Sequence, residues 1–381
     1  LKCYDNDNHY LKSKQNMSPK KIGKSSLVSV RSQRQGLKLY SLGVIVAIAT
    51  SLSSCAVTNN SQQPPTTAPQ AQTTATAEKL PLVVVTNSVS CGLAKQIAGN
   101  TVNLKCLVDA GVDPHVYQPN PEDRKAIDSA QLILYGGYDF EPSLIKLVEA
   151  SSNKAPKIAI NEVAVPMPIM TADGHSHSHD HDHDQDEKEK DKNAKEADPH
   201  VWNNAQNGIK IAQAISKSLS ELRPDQATIY SANTTKLVNE LEQIDAWIKT
   251  QIATIPEASR KLVTTHHALG YYAQAYGITV EGALNGLSTD EQPTPTRVRE
   301  LVSVIKSSQV PTIFAEVSIN PKLITTVAKE ANVKVSEREL YADGLGAKGS
   351  EAETYAGMLI ANTRTIVEGL GGKFTPFQLK N

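Results

Sequence analysis

From Leu80 onward the apolar positions follow two alternating rhythms. Short continuous apolar runs recur at Leu82-Val83-Val84-Val85, Val102 to Val108, Gln131-Leu132-Ile133-Leu134-Tyr135 and Lys157 to Ile160. Between them, segments with helical spacing cover Val89 to Ala98, Pro121 to Ser129 and Pro142 to Ala150. Runs without polar alternation suit strands buried on both faces, and a proline opening a helical segment suits a first turn. The pattern predicts a four-stranded, mostly parallel α/β lobe over residues 80–222.

The series then repeats. Strands are expected at Lys261 to Thr265, Ile278 to Val280, Thr312 to Ala315 and Val333 to Val335. Helices are expected near 268–276, 295–308, 321–331 and 351–369, giving a second α/β lobe over 257–381. The segment between the lobes, 223–256, runs from Pro224 to Ile255 without internal Pro or Gly, and Leu237, Leu241, Ile244 and Ile248 mark one apolar helical face. A single helix of this length reaches about 45 Å. Two α/β lobes joined by one long, rigid helix would move by small tilts. One stretch, 171–198, breaks the first lobe. It alternates His with Ser or Asp and then runs through Glu187, Lys188, Glu189, Lys190, Asp191 and Lys192, a composition that builds no core and reads as a loop.

The first 79 residues have a different character. Lys20, Lys21, Lys24, Arg31, Arg34 and Lys38 precede an apolar run from Leu39 to Leu52, which is short for a membrane span. Leu52-Ser53-Ser54-Cys55 resembles a bacterial lipobox, so 1–54 reads as a signal peptide, with Met17 as its start, and Cys55 as the acylated residue. Residues 55–79, rich in Thr, Gln, Pro, Ala and Ser, read as a disordered tether from that anchor. The expected location is therefore extracytoplasmic, at the outer face of the cytoplasmic membrane. Cys91 and Cys106 then remain as mature thiols, free to pair in an oxidising compartment or to stay reduced and buried.

Composition narrows the function. The formal net charge is −1, there is no basic stripe for nucleic acid, and 5% aromatic residues argue against stacking platforms. Histidine is spent narrowly. Of ten histidines, His175, His177, His179, His181 and His183 sit in the polar loop and His9 lies upstream of the cleavage site. The other four are His115, His200 and the pair His266-His267. Two of them close the same phrase, Asp113-Pro114-His115-Val116-Tyr117 and Asp198-Pro199-His200-Val201-Trp202. Proline stiffens each turn, and Asp113 and Asp198 are candidates to orient an imidazole through its second N–H. His115, His200 and His266 each follow a strand, and strand ends in open α/β sheets point into the ligand crevice. Their convergence predicts a divalent metal held between the lobes. A fourth ligand is left open by the residues alone: Asp343 in the loop Leu340-Tyr341-Ala342-Asp343-Gly344, or Glu281, Glu316 or Asp290.

These phrases, with Gln118-Pro119, Leu134-Tyr135-Gly136-Gly137 and His266-His267-Ala268-Leu269-Gly270-Tyr271, resemble the zinc- and manganese-binding solute-binding lipoproteins of ABC importers (the cluster A-I family), above all the zinc-uptake members. The likeness runs in order through nearly all of 80–375. It implies metal in the cleft, with ligand roles on His115, His200, His266 and Asp343. It also implies delivery of the metal to a membrane permease driven by an ATPase. Manganese-specialised relatives carry Glu where His266 stands, and three imidazoles with one carboxylate suit zinc, so Zn2+ is the expected cargo and Mn2+ the alternative. His267 departs from relatives that carry Asp or Gly there. The five loop histidines resemble an insertion of zinc-type members and are expected to capture metal weakly. A zinc hydrolase is disfavoured because the donor set leaves no open position and no His-Glu-x-x-His phrase occurs. Adhesion is a minor alternative without a supporting repeat, and a monomer is expected.

Overall fold

The computed structural model describes residues 80–171 and 195–380, all within one compact unit. The first lobe is built on β1 (Leu82–Val85), α1 (Ser88–Ala98), β2 (Asn103–Cys106), α2 (Pro121–Ser129), β3 (Leu132–Tyr135), α3 (Pro142–Ala150), β4 (Lys157–Ala159) and α4 (Ile160–Ala164). Its four strands lie in the order β2-β1-β3-β4 and every pairing is parallel. Alternate residues of β1 feed opposite faces. Val83 and Val85 enter the main core, while Val84 joins Ile133, Ile127, Leu144 and Val148 beneath α2 and α3. The helix starts are set locally. Asn87 caps α1 by accepting from Ser90 N–H, and Asn120 and Asp123 form a reciprocal capping box on α2.

After α4 the chain makes a two-strand antiparallel ladder, β5 (Met170–Thr171) with β6 (Glu196–Ala197). A short 3-10 turn at Val201–Asn203 leads into α5 (Ala205–Leu222), a helix that the apolar pattern does not set apart from its surroundings. The linking helix α6 (Ala227–Ile252) begins after a 3-10 turn at Pro224–Gln226. Its 26 residues therefore span about 39 Å, less than expected. Leu237, Leu241, Ile244 and Ile248 are buried as the spacing indicated.

The second lobe comprises β7 (Lys261–Thr264), α7 (Gly270–Tyr276), β8 (Thr279–Ala283), α8 (Pro295–Ser308), β9 (Thr312–Ile313), α9 (Lys322–Ala331), β10 (Lys334–Val335) and α10 (Tyr355–Gly369). Its strands form two parallel pairs, β7 with β8 and β9 with β10. The Phe314 N–H donates to Val263 O at 2.9 Å and joins the two pairs. No helix of the described residues is long and apolar enough to cross a membrane.

The lobes share a core. One continuous cluster takes in Val83 and Leu93 from the first lobe, Ile244 from α6, and Phe314, Leu359 and Ile366 from the second. The linking helix is thus packed along its length and is no free-standing bridge. A C-terminal segment runs along it. Gln243 pairs with both the N–H and the C=O of Lys380, Gln251 accepts from Thr375 N–H, and Trp247 packs edge-on against Phe374 and Phe377. In the first lobe, Cys91 of α1 and Cys106 of β2 are joined by a disulfide, with Cα atoms 5.9 Å apart.

Gly208 lets α5 approach α10. A Cβ at this position would overlap the Tyr355 ring, whose hydroxyl donates to Trp202 O at 2.5 Å. Gly208→Ala is expected to destabilise the protein by about 1–3 kcal/mol through overpacking, read as a lower urea midpoint at unchanged slope.

Candidate metal centre

Four buried side chains converge from distant parts of the chain. One ligand atom from each of His115, His200, His266 and Asp343 lies within 4.8 Å of all the others. The Nε2 of His200 is 3.3 Å from that of His115 and 3.3 Å from that of His266. Asp343 Oδ1 stands 3.0 Å from His266 Nε2, 3.4 Å from His200 Nε2 and 3.7 Å from His115 Nε2. That oxygen is buried and has no hydrogen-bond partner within the protein.

Each side chain is delivered by the backbone that precedes it. His115 follows β2 on the turn carrying the first Asp-Pro. His200 follows β6, a strand of the small antiparallel ladder and not of the parallel sheet. His266 comes two residues after β7. Asp343 follows Leu340, which forms a parallel bridge to Glu316. His267, adjacent to His266, is only partly buried and lies outside the convergent set.

The far nitrogens of two imidazoles are tied to carboxylates. His200 Nδ1–H donates to Asp198 Oδ1 at 2.8 Å, and the same oxygen accepts from His200 backbone N–H at 2.9 Å. His266 Nδ1–H donates to Glu316 Oε2, while Glu316 Oε1 accepts from the backbone N–H groups of Thr265 and His266 at 2.9 and 3.0 Å. Such partners fix the tautomer and turn each Nε2 lone pair into the cavity. The Asp113 carboxylate is directed elsewhere than expected. Its Oδ1 accepts from His115 backbone N–H at 3.0 Å and its Oδ2 from the Thr289 hydroxyl at 2.6 Å, so it fixes the turn and not the ring. Glu316, one of the open choices for a fourth ligand, sits behind His266 instead. The other two alternatives are engaged away from the cluster: Glu281 accepts from Ser308 at 2.6 Å, and Asp290 accepts from Ser288 at 2.8 Å.

Apolar and cross-lobe contacts close the site. Phe140 stands edge-on to His115 and His200 and packs on Trp202 at 4.5 Å between centroids. Trp202 Nε1–H and Asn203 Nδ2–H both donate to Ala342 O, beside Asp343. Ser318 donates to Asp343 Oδ2 at 3.2 Å. His175, His177, His179, His181, His183 and Cys55 lie outside the described residues.

The electrostatics follow from burial and neighbours. Burial pulls His115 below the ordinary imidazole value, more than Asp343 raises it. Burial also pulls on His200, but the hydrogen bonds to Asp198 and Asp343 outweigh it and raise that ring. For His266 the Asp343 and Glu316 charges outweigh burial by more, and the ring is held well above its ordinary value. Burial opposes ionisation of Asp343, yet the surrounding imidazoles hold it well below the carboxylate range.

A family profile described as zinc-uptake complex component A, periplasmic, matches residues 83–369. The chain is 31% identical over 288 residues to the manganese-binding lipoprotein MntA of Halalkalibacterium halodurans, covering 76% of this chain and 88% of that one. It is 32% identical over 294 residues to the manganese ABC transporter substrate-binding lipoprotein scaA of Streptococcus gordonii, with the same coverages of 76% and 88%. Among solved structures, the periplasmic zinc-binding protein TroA of Treponema pallidum superposes with a TM-score of 0.67 at 29% identity, covering 76% of this chain and 99% of that one. A manganese-bound periplasmic metal-binding protein of Candidatus Liberibacter asiaticus gives 0.62 at 25% identity, with coverages of 76% and 99%.

Protons and a metal ion compete for the same lone pairs. The raised rings of His200 and His266 stabilise the metal-free fold below the unfolded imidazole value of about 6.5, and that contribution is lost as pH rises through their higher folded values. Metal stabilisation has the opposite trend. The gap in melting temperature between loaded and metal-free protein is expected to widen from pH 5.5 to pH 8, and calorimetry in buffers of different ionisation enthalpy should register proton release on binding.

Proposed function

The chain belongs to the family of periplasmic component A of the zinc-uptake complex, and on that premise we propose that it captures Zn2+ through His115, His200, His266 and Asp343 and delivers it to an importer. It is a metal-binding solute-binding protein of the ABC-importer class, working with a permease and an ATPase, and is not an enzyme. The observation that carries the zinc reading is the spacing of the four donors. A tetrahedral ion with bonds of ~2.0–2.1 Å holds its ligand atoms about 3.3 Å apart. Separations of 3.3, 3.3, 3.0, 3.4 and 3.7 Å support such a cage. Three imidazoles and one carboxylate are a zinc-like set, whereas manganese favours more oxygen donors.

Manganese is the second reading, favoured by the names of the curated relatives. We further assign acylation to Cys55, placing a monomeric chain on the outer face of the membrane, and weak accessory capture to the five loop histidines. The working division is 80–222, 223–256 and 257–381.

Competition dialysis against equimolar zinc and manganese, followed by elemental analysis, tests the metal. One zinc per chain is expected; a clear manganese excess would overturn the choice of metal. His200→Ala should abolish the tight site in a calorimetric titration. Deleting 175–183 should remove only weak binding, and loss of the tight step in that deletion would contradict the cleft assignment.

A further inference from the structure

We propose that Asp113 and Thr289 form a latch between the lobes that sets how fast the bound metal leaves; this rests on the metal-capture reading above. The two Asp-Pro-His phrases are alike in sequence and differ in use. Asp198 is fully buried and spends Oδ1 on its own histidine, on both the ring and the backbone N–H. Asp113 is partly exposed and divides its oxygens. Oδ1 holds the backbone of His115, and Oδ2 accepts from Thr289, 176 residues away on the other lobe.

Thr289 stands on the segment between β8 and α8, and that segment is fastened to the backbone around His266. Asn285 N–H donates to Thr265 O at 3.0 Å, and His267 N–H donates to Gly286 O at 2.9 Å. The segment is also braced within itself, with Asn285 Nδ2–H on Glu291 O and the Ser288 hydroxyl on Asp290. A continuous path therefore runs from His115 through Asp113 and Thr289 to Thr265 and His267, on either side of His266. Drawing the lobes apart at this rim pulls His115 away from His266 and must break the Asp113–Thr289 bond. The bond is charge-assisted and short, which suits a holding contact. Its partial exposure lets water take over both partners once the lobes separate, so it slows opening without preventing it.

Thr289 touches no metal-facing atom, which makes it the cleaner residue to change. The test is stopped-flow transfer of zinc from the full-length protein to an excess of chromophoric chelator, with wild type, Thr289→Val and Thr289→Ser. Valine keeps the shape and removes the hydroxyl. It is expected to speed release about tenfold, the size of one net hydrogen bond, with one zinc per chain and an unchanged association rate. Serine is expected to restore the wild-type release rate. Release from Thr289→Val at the wild-type rate, with zinc still bound one to one, would overturn the latch and leave the metal reading intact. Fast release from Thr289→Ser would also overturn it, because the hydroxyl would then not be the cause. If wild type held no stoichiometric zinc, the capture reading would fail and the latch with it.

Discussion

A carboxylate buried without compensation is among the most costly arrangements a protein can contain, and the buried Asp343 escapes that cost only through its neighbours. Three imidazoles surround it, drawn from three segments that no local structure could bring together. The arrangement is stable only while positive charge, as protons or as a metal ion, occupies the space between them. Asp198 and Glu316 extend the same logic outward. Each adds negative charge behind an imidazole and raises that ring's hold on a cation. The surrounding fold keeps the four donors close together, with Phe140 packed against two of the imidazoles and Trp202 against one.

Much of the first lobe could be read from sequence because its punctuation is strong. The helices Pro121–Ser129 and Pro142–Ala150 begin at prolines, where a missing N–H costs nothing, as does Pro295–Ser308 in the second lobe. The meeting of His115 and His266 could be foreseen because each follows a parallel strand, whereas His200 follows the small antiparallel ladder and Asp343 was one of four acids the residues alone left open. Other features were hidden. Helix α5 starts at Ala205, behind the cap Asn204 that accepts from Gln206 N–H, and the apolar set Ile211, Ile215 and Leu219 lay between two more conspicuous segments. The strands β5 and β6 have two residues each, too few to show any period. The two Asp-Pro-His turns show the limit of local reasoning most clearly. Identical tripeptides place their carboxylates differently because one faces its own histidine in a dry interior and the other faces a threonine supplied by the opposite lobe. Glu316 could be found as an acid at a strand end, yet nothing in the sequence distinguished holding an imidazole from binding a metal.

The shared core changes what opening can mean. Trp202 and Asn203 donate to Ala342 O, Asn203 also donates to Ala268 O, and Ser88 accepts from Leu345 N–H. These bonds stitch the lobes immediately behind the donors. With the linking helix packed against α5 and α10, large rotations would expose apolar surface and unpaired backbone groups together. Small displacements concentrated at the rim of the cleft cost far less.

The cross-link between Cys91 and Cys106 has a geographic meaning. It closes a 15-residue separation, for which the loss of chain freedom in the unfolded state contributes about 3 kcal/mol. Set against a total stability of about 5–15 kcal/mol for an ordinary domain, that is a large share, and it exists only where thiols are oxidised. A copy still in a reducing cytosol lacks this brace on the lobe that carries His115. Such a copy is more easily unfolded and readier for proteolysis, so the bond ties full robustness to an oxidising surrounding.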